Sequence, residues 1–160
     1  MSSRDGIGSR QDGLEPLYEG EIQNYLNFIP YFKGVFAKDE IKNIKVNKNQ
    51  NFAFVLNLQN SYQSGSHWTA VYYDKDLPYV EYYDSFGLEP PIELENLIKK
   101  NIKKPINYNP FQHQDPFSVR CGYYSINYII KRHYGMPSST FMSKLTKTPS
   151  QKNERFAINF

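Results

Sequence analysis

Three short segments in the first half of the chain constrain its fold more than any other feature of the sequence. Residues 52–58, 67–73 and 79–83 are rich in β-branched and aromatic side chains, and polar breaks with turn-forming residues separate them. Segments of this length and composition favour β-strands. Because the breaks are short, the sequence predicts a meander of three neighbouring strands.

Helical patterns flank this meander on both sides. Apolar residues recur at helical spacing in several segments, which predicts helices at 19–29, 91–100 and 121–134, with weaker patterns at 141–145 and 154–160. The other segments are predicted to be an aromatic-anchored turn at 31–36, a surface connection at 39–50, a further strand at 106–108 and a loop at 110–120. We therefore expect an α+β protein with a single domain over residues 17–160, preceded by a flexible segment over residues 1–16.

Aromatic side chains supply the core that such a domain needs. Apolar residues make up only 39% of the 160 residues, but 14 Tyr, 11 Phe and one Trp carry large areas that folding can bury. Disorder throughout the chain is thereby excluded. The net charge of +3 is too small for a dedicated nucleic-acid binder, although it favours polyanions slightly.

Apolar segments are short throughout the sequence. The longest, residues 52–56, is far below the roughly 18 residues of a membrane span. Charges interrupt the first fifteen residues, so no secretory signal is predicted. We therefore expect a soluble protein that is not secreted and has no membrane partner. Lys outnumbers Arg by 14 to 5 and Asn occurs 15 times, a bias typical of A/T-rich coding sequences.

The sequence contains a single cysteine, Cys121. One thiol excludes an internal disulfide and a cysteine-based zinc cage, and no metal site is expected. Cys121 lies at the predicted start of a helix, where backbone N–H groups and the helix dipole stabilise a thiolate. Gly122 follows, and its missing side chain is predicted to leave room for a substrate carbonyl. These neighbours favour a nucleophile over the small buried apolar residue that a lone cysteine usually is.

A thiolate nucleophile needs a base, and the chain has three histidines. His133 lies on the same predicted helix as Cys121, about 18 Å further along its axis, and is out of reach. His113 lies in a predicted flexible loop, which is a poor platform for an oriented imidazole. His67 begins a predicted strand and precedes Trp68, a rigid setting, so we predict that His67 is the base.

Two further side chains complete the candidate site. Asp84 follows the third predicted strand and is placed to orient the imidazole, whereas Glu81 points to the opposite face of that strand. Gln114, seven residues before Cys121, can donate its side-chain amide to a developing oxyanion, with Gln112 as a rival. An acid beside the base and an amide beside the nucleophile are what acyl transfer requires.

The order of these residues resembles that of a known group of enzymes. His67-Trp68, Asp84-Ser-Phe-Gly87, Gln114 and Cys121-Gly122 follow one another as the His, acid, Gln and Cys do in the adenovirus-type (adenain-like) maturation proteases and the SUMO-specific cysteine proteases. The intervals of 17 residues from His to acid and seven from Gln to Cys look adenoviral, as does the segment Tyr31-Phe-Lys-Gly34. The resemblance covers roughly residues 24–134.

This resemblance implies a papain-like cysteine protease core, with a small central mixed β-sheet flanked by helices and the nucleophile at a helix N-terminus. It implies that Cys121 attacks the peptide carbonyl, His67 protonates the leaving amine, Asp84 holds the imidazole and Gln114 donates to the oxyanion, with Trp68 and Gly122 binding substrate. Viral members cleave capsid and core precursors during virion maturation, often after small residues such as Gly. Small size and the coding bias favour a viral protein, so we expect a maturation protease of the virion and the infected host cell, in a cytoplasmic viral factory or the nucleus.

Activation is where the sequence departs from the adenoviral pattern. Adenoviral enzymes are typically activated by a peptide that can be disulfide-linked to a second cysteine, which this sequence lacks, so a peptide activator would bind noncovalently. DNA is a second candidate activator through the basic cluster Lys99, Lys100, Lys103 and Lys104, although these residues also suit a solvated helix end. The acid, Asp84, matches the SUMO-specific branch rather than the usual adenoviral Glu. The chemistry is expected to need no cofactor, and the protein to act as a monomer on protein substrates.

Three other functions fit the same residues. An isopeptidase that removes ubiquitin-like modifiers and an acyltransferase would use the same order of His, acid and Cys, and a catalytically inactive binding module would keep only the fold. Cleavage of precursor proteins, cleavage of modifier conjugates and labelling by acetyl-CoA distinguish the three active forms. The complete set of four residues weighs against the inactive module, because drift usually removes one of them.

Overall fold

The sheet that positions the site has five strands in the order β1-β2-β3-β4-β5. The computed structural model describes residues 14–61 and 66–160. The strands are Phe32–Ala37 (β1), Phe52–Asn57 (β2), Trp68–Tyr73 (β3), Val80–Tyr83 (β4) and Ile106–Tyr108 (β5). β2, β3 and β4 pair antiparallel, and β1 and β5 add to the two edges in parallel. The predicted meander and the mixed α+β architecture are therefore confirmed.

Within the described residues, five α-helices surround this sheet. They are Glu19–Leu26 (α1), Ile92–Asn101 (α2), Cys121–His133 (α3), Ser138–Ser143 (α4) and Gln151–Ala157 (α5). The last two begin three residues earlier than predicted, and α1 ends three residues earlier. No helix in this part of the chain is both long enough and apolar enough to cross a membrane. Of the segment predicted to be flexible, residues 1–13 lie outside the described residues.

The first strand is absent from the sequence prediction. The turn predicted at 31–36 is wrong, because this segment forms β1 and pairs in parallel with β2. Lys33 and Gly34 interrupt the alternation of apolar residues, and Gly34 has a φ of 125°, so the local pattern does not indicate a strand. Pairing with β2 buries Val35 and Ala37, and this contact stabilises a segment whose own strand propensity is weak.

Both faces of the sheet are covered by apolar clusters. On β2, Phe52, Phe54 and Leu56 belong to the cluster that α2 completes, whereas Ala53 and Val55 belong to the cluster that α3 completes. Almost every residue of β2 and β3 is buried as a result. Burial on two sides makes the sheet a rigid platform for side chains at the strand ends.

The connection predicted to lie on the surface at 39–50 is partly buried. It contains a 3-10 helix, Lys38–Asn43, whose Ile41 is completely buried, and Ile44 follows in the same cluster. The many Lys and Asn residues of this segment led to the prediction of a surface connection. Composition describes the segment as a whole, whereas burial depends on individual positions such as Ile41 and Ile44.

A buried ion pair holds α3 against β4. Glu81, 2% exposed, accepts two hydrogen bonds of 2.8 Å from the Arg132 guanidinium and one of 2.5 Å from the Tyr128 hydroxyl. Leaving one buried charge of such a pair without its partner costs about 3–5 kcal/mol. Glu81 is thus committed to α3 and stands apart from Asp84, in agreement with its predicted opposite orientation.

Candidate active site

Cys121 is the first residue of α3, as predicted. The helix packs on the sheet in the cluster that contains Cys121, Trp68 and Tyr124. Its first turn contains no acidic residue, so no side-chain charge there offsets the positive end of the helix dipole. Backbone N–H groups at this end have no partner within the helix and favour a thiolate.

His67 lies beside the thiol, immediately before β3. Its Nε2 atom is 2.9 Å from Oδ1 of Asp84, which leaves Nδ1 for the hydrogen bond between the imidazole and Cys121. Burial disfavours the charged imidazole, but hydrogen bonds to Asp84 and Cys121 and their negative charges outweigh it and raise the pKa of His67 to about 10. The raised pKa of His67 favours the protonated imidazole that a thiolate–imidazolium pair requires.

Asp84 is held in a tight turn that follows β4. Its side chain is fully buried, and Oδ1 accepts a second hydrogen bond, of 2.8 Å, from the backbone N–H of Phe86. Gly87 closes the turn with a φ of 74°, and a Cβ atom there would lie 2.5 Å from the backbone of Phe111. The Asp84-Ser-Phe-Gly87 motif is therefore a turn that packs closely against Phe111 in the loop before α3. This close contact requires glycine at the last position of the motif.

The ring of Phe86 covers one side of the imidazole, a contact that the sequence analysis did not predict. The ring centroids of His67 and Phe86 are 5.0 Å apart. An apolar ring beside the hydrogen bond between His67 and Asp84 lowers the local polarity and strengthens that bond. The available signal was the position of Phe86 inside the motif that begins at Asp84 and ends at Gly87.

The loop before α3 carries Gln114 to the same place. Gln114 is fully buried; its Oε1 accepts a hydrogen bond of 2.6 Å from the Ser85 hydroxyl, and its Nε2 donates one of 2.9 Å to the Ser118 carbonyl. Gln114 and Cys121 line one cleft. Gln112, the rival, donates instead to the Gln114 carbonyl at 3.0 Å and is not among the described residues that line this cleft.

The cleft at Cys121 has a volume of about 710 Å³. The predicted substrate residue Trp68 lines it, but the indole is nearly buried, and its N–H donates to the Leu17 carbonyl at 3.2 Å. The room predicted at Gly122 is filled by protein, because a Cβ atom there would lie 3.1 Å from Leu17 and 3.2 Å from Trp68. The missing side chain of Gly122 thus lets two apolar side chains pack against the start of α3.

The other two histidines have structural contacts. His113 is 2% exposed and its Nδ1 bonds to the Tyr83 hydroxyl at 2.9 Å, while burial lowers the pKa of His113 to about 4. The loop predicted to be flexible is therefore packed against the sheet at this residue. His133, the last residue of α3, bonds through Nδ1 to the Tyr31 hydroxyl at 2.7 Å.

Lys104 differs from the other three members of the basic cluster, because its ammonium group has partners within the protein. Lys104 donates to the Tyr73 hydroxyl at 2.8 Å and to the carbonyls of Leu77 and Lys75 at 2.9 and 3.1 Å. Because these bonds occupy its ammonium group, the prediction that Lys104 contributes to a DNA surface is corrected. The exposed members are Lys99, Lys100 and Lys103.

Among the described residues, no group of three His, Cys, Asp or Glu side chains is placed to hold a metal ion.

One curated relative is similar in sequence. No family model matches the chain. Over 102 residues the chain is 32% identical to R355 of Acanthamoeba polyphaga mimivirus, a candidate thiol protease, in a match that takes in 57% of the chain and 33% of the relative. The chain therefore spans about a third of the length of the curated relative that it matches.

Solved structures share the fold. The ASFV pS273R protease aligns with a TM-score of 0.55 at 20% identity, covering 88% of this chain and 63% of that one. Its selenomethionine form gives a TM-score of 0.56 at 18% identity, covering 94% and 76%. The resemblance expected from the order of the site residues is confirmed at the level of the fold. This chain has the fold of the ASFV pS273R protease and is similar in sequence to a candidate thiol protease of a mimivirus.

Proposed function

We propose that this chain is a cysteine endopeptidase in which Cys121 is the nucleophile. One observation carries the proposal: Cys121, His67 and Asp84 form a hydrogen-bonded series beside a cleft. The thiol and the imidazole are 54 residues apart in the sequence, and packing alone does not require that they meet. The series is therefore best explained by acyl transfer through a thiolate.

The steps of the reaction follow from this geometry. The His67 imidazolium stabilises the thiolate, whose sulfur attacks the carbonyl carbon of a peptide bond in the cleft. Backbone N–H groups at the start of α3 and the Gln114 amide stabilise the charge that develops on the carbonyl oxygen. His67 donates its Nδ1 proton to the leaving amine and later removes a proton from the water that hydrolyses the thioester. Asp84 keeps the imidazole in place throughout.

The substrates in this proposal are capsid or core precursors that are cut during virion maturation. Similarity to proteins of a mimivirus and of ASFV supports a viral setting. The protein would act as a monomer in the virion and the infected host cell, in a cytoplasmic viral factory or the nucleus. The described side chains supply nucleophile, acid, base and oxyanion donor, so the chemistry needs no cofactor. An activating peptide would bind noncovalently, and a DNA activator would use Lys99, Lys100 and Lys103.

Mass spectrometry of precursor proteins tests this function. Purified protein and a Cys121→Ala variant are incubated with core and capsid precursors of the encoding virus, with and without DNA. We expect new termini inside the precursors after incubation with the unmodified protein, and none after incubation with the Cys121→Ala variant. Cleavage confined to isopeptide bonds of ubiquitin-like conjugates would identify an isopeptidase, and acetyl transfer from acetyl-CoA without peptide cleavage would identify an acyltransferase. Either result would contradict the endopeptidase proposal.

A further inference from the structure

We propose that Ser85 is a positioning residue that holds the Gln114 amide in the orientation needed to stabilise an oxyanion. Its role depends on the cysteine endopeptidase function proposed above. Ser85 follows Asp84 in the turn after β4 and is 1% exposed. One short turn would then hold both the acid and the oxyanion donor.

Three hydrogen bonds connect Ser85 to the loop that carries Gln114. Its carbonyl accepts from the backbone N–H groups of His113 and Gln114 at 2.8 and 3.0 Å. Its hydroxyl donates to Oε1 of Gln114 at 2.6 Å. The backbone bonds place the loop and survive any substitution of the Ser85 side chain, whereas the hydroxyl acts on the amide alone. The two effects are therefore separable by mutation.

The partners of the Gln114 amide determine which way it points. The Ser118 carbonyl only accepts, so the amide presents Nε2 to it, at 2.9 Å. Oε1 then faces the Ser85 hydroxyl, which can donate. Ser118 uses one N–H of Nε2, and the second remains for an oxyanion in the cleft that Gln114 shares with Cys121.

Loss of the Ser85 hydroxyl would leave Oε1 of Gln114 without its donor in a fully buried position. An unsatisfied buried acceptor is unfavourable, so the amide would rotate toward another partner. Oxyanion stabilisation requires donors that are already in place when the charge develops. The thiolate should be unaffected, because His67 and Asp84 keep their hydrogen bond.

Two reactions of the Cys121 thiolate separate these effects. In acylation by p-nitrophenyl acetate, sulfur bonds to the carbonyl carbon through a tetrahedral oxyanion and the C–O bond to nitrophenolate breaks. In exchange with dipyridyl disulfide, sulfur attacks sulfur and releases thiopyridone without forming an oxyanion. We expect Ser85→Ala to slow acylation by roughly tenfold and to change disulfide exchange by less than about twofold. Equal slowing of both reactions would overturn the role of Ser85.

A matched control and a double variant sharpen the test. Ser138→Ala removes a hydroxyl that lies 3.0 Å from the Tyr128 hydroxyl, outside the cleft, and should leave both rates unchanged. In a Gln114→Ala background, Ser85→Ala should cause no further loss of acylation, because the group through which it acts is gone. A further loss there would show that Ser85 acts by another route and would overturn the role.

A second pair of variants applies if Ser85→Ala does not fold. Ser85→Thr and Ser85→Val have nearly the same shape and differ in the hydroxyl, so Thr should preserve the acylation rate and Val should lose it. Equal rates in this pair would overturn the role of Ser85. If the unmodified protein is acylated no faster than an unfolded cysteine thiol, the endopeptidase function fails and the role of Ser85 with it. Fast acylation that Ser85→Ala leaves unchanged would overturn the role of Ser85 alone.

Discussion

At the scale of single residues, the sulfur of Cys121 is the one atom that the proposed chemistry cannot replace. Cys121→Ala should abolish cleavage and leave the fold intact, because alanine fits the space of a small, nearly buried side chain and suits a helix start. Peptide cleavage and thermal unfolding, measured on the same preparation, check both parts. Turnover that persists in this variant would exclude the thiol mechanism.

His67 and Asp84 should contribute unequally. His67→Ala removes the proton donor and should lower kcat by about a thousandfold or more, whereas Asp84→Ala removes a group that supports the imidazole without transferring the proton itself and should cost about tenfold to a hundredfold. Asp84→Asn, of nearly the same shape, serves as the control for the empty space. Loss of the carboxylate charge should also lower the pKa of His67 from about 10 toward its usual value. The pH profile of disulfide exchange measures this change in pKa. An Asp84→Ala loss equal to that of His67→Ala would give the acid a different role.

At the scale of elements, the turn after β4 joins the sheet to the loop before α3. Gly87→Ala should destabilise the fold by about 3 kcal/mol, because its positive φ is unfavourable for alanine and a Cβ atom would meet the backbone of Phe111 at 2.5 Å. Gly135→Ala is the matched control, since Gly135 has a φ of 95° but no atom within 4 Å of the added Cβ, and it should cost about 1 kcal/mol. Urea unfolding measures both variants, and equal losses would rule out the close contact as the cause.

At the scale of the whole molecule, two histidines make stability depend on pH in opposite directions. Burial lowers the pKa of His113 from 6.5 to about 4, so the unfolded chain binds a proton that the folded chain excludes. The free energy of unfolding should therefore fall as the pH falls from 6.5, by on the order of 3 kcal/mol at pH 4. The pKa of His67 is raised from 6.5 to about 10, so its contribution is complete below pH 6.5 and is lost as the pH rises through 10.

The contributions of His67 and His113 to the free energy of unfolding are both largest near pH 6.5, and stability should therefore be greatest there. Urea unfolding between pH 4 and 10 checks this for the unmodified protein, His113→Gln and His67→Gln. His113→Gln should flatten the acid side of the profile, and His67→Gln the alkaline side. An acid side that His113→Gln leaves unchanged would mean that other groups, such as the buried carboxylates, determine it.

The sequence by itself determined the chemistry of the side chains and the elements with local signals. The strands β2 to β4 and the helix that begins at Cys121 could be predicted because hydrophobic periodicity is a property of neighbouring residues. The order of His67, Asp84, Gln114 and Cys121 indicated a cysteine protease fold, because the order of residues along a chain can be compared with that of known families before any contact is known.

Only the tertiary structure decided the features that depend on distant partners. β1 is a strand because β2 pairs with it, and the ammonium group of Lys104 is occupied because the Tyr73 hydroxyl and two carbonyls accept its hydrogen bonds. Ser85 acquires its place because a loop almost thirty residues further along the chain folds back onto its hydroxyl. Hydrogen bonds between such segments, and the burial that their contact causes, depend on which distant parts of the chain meet in the folded protein. Local propensity depends on neighbouring residues and does not determine those contacts.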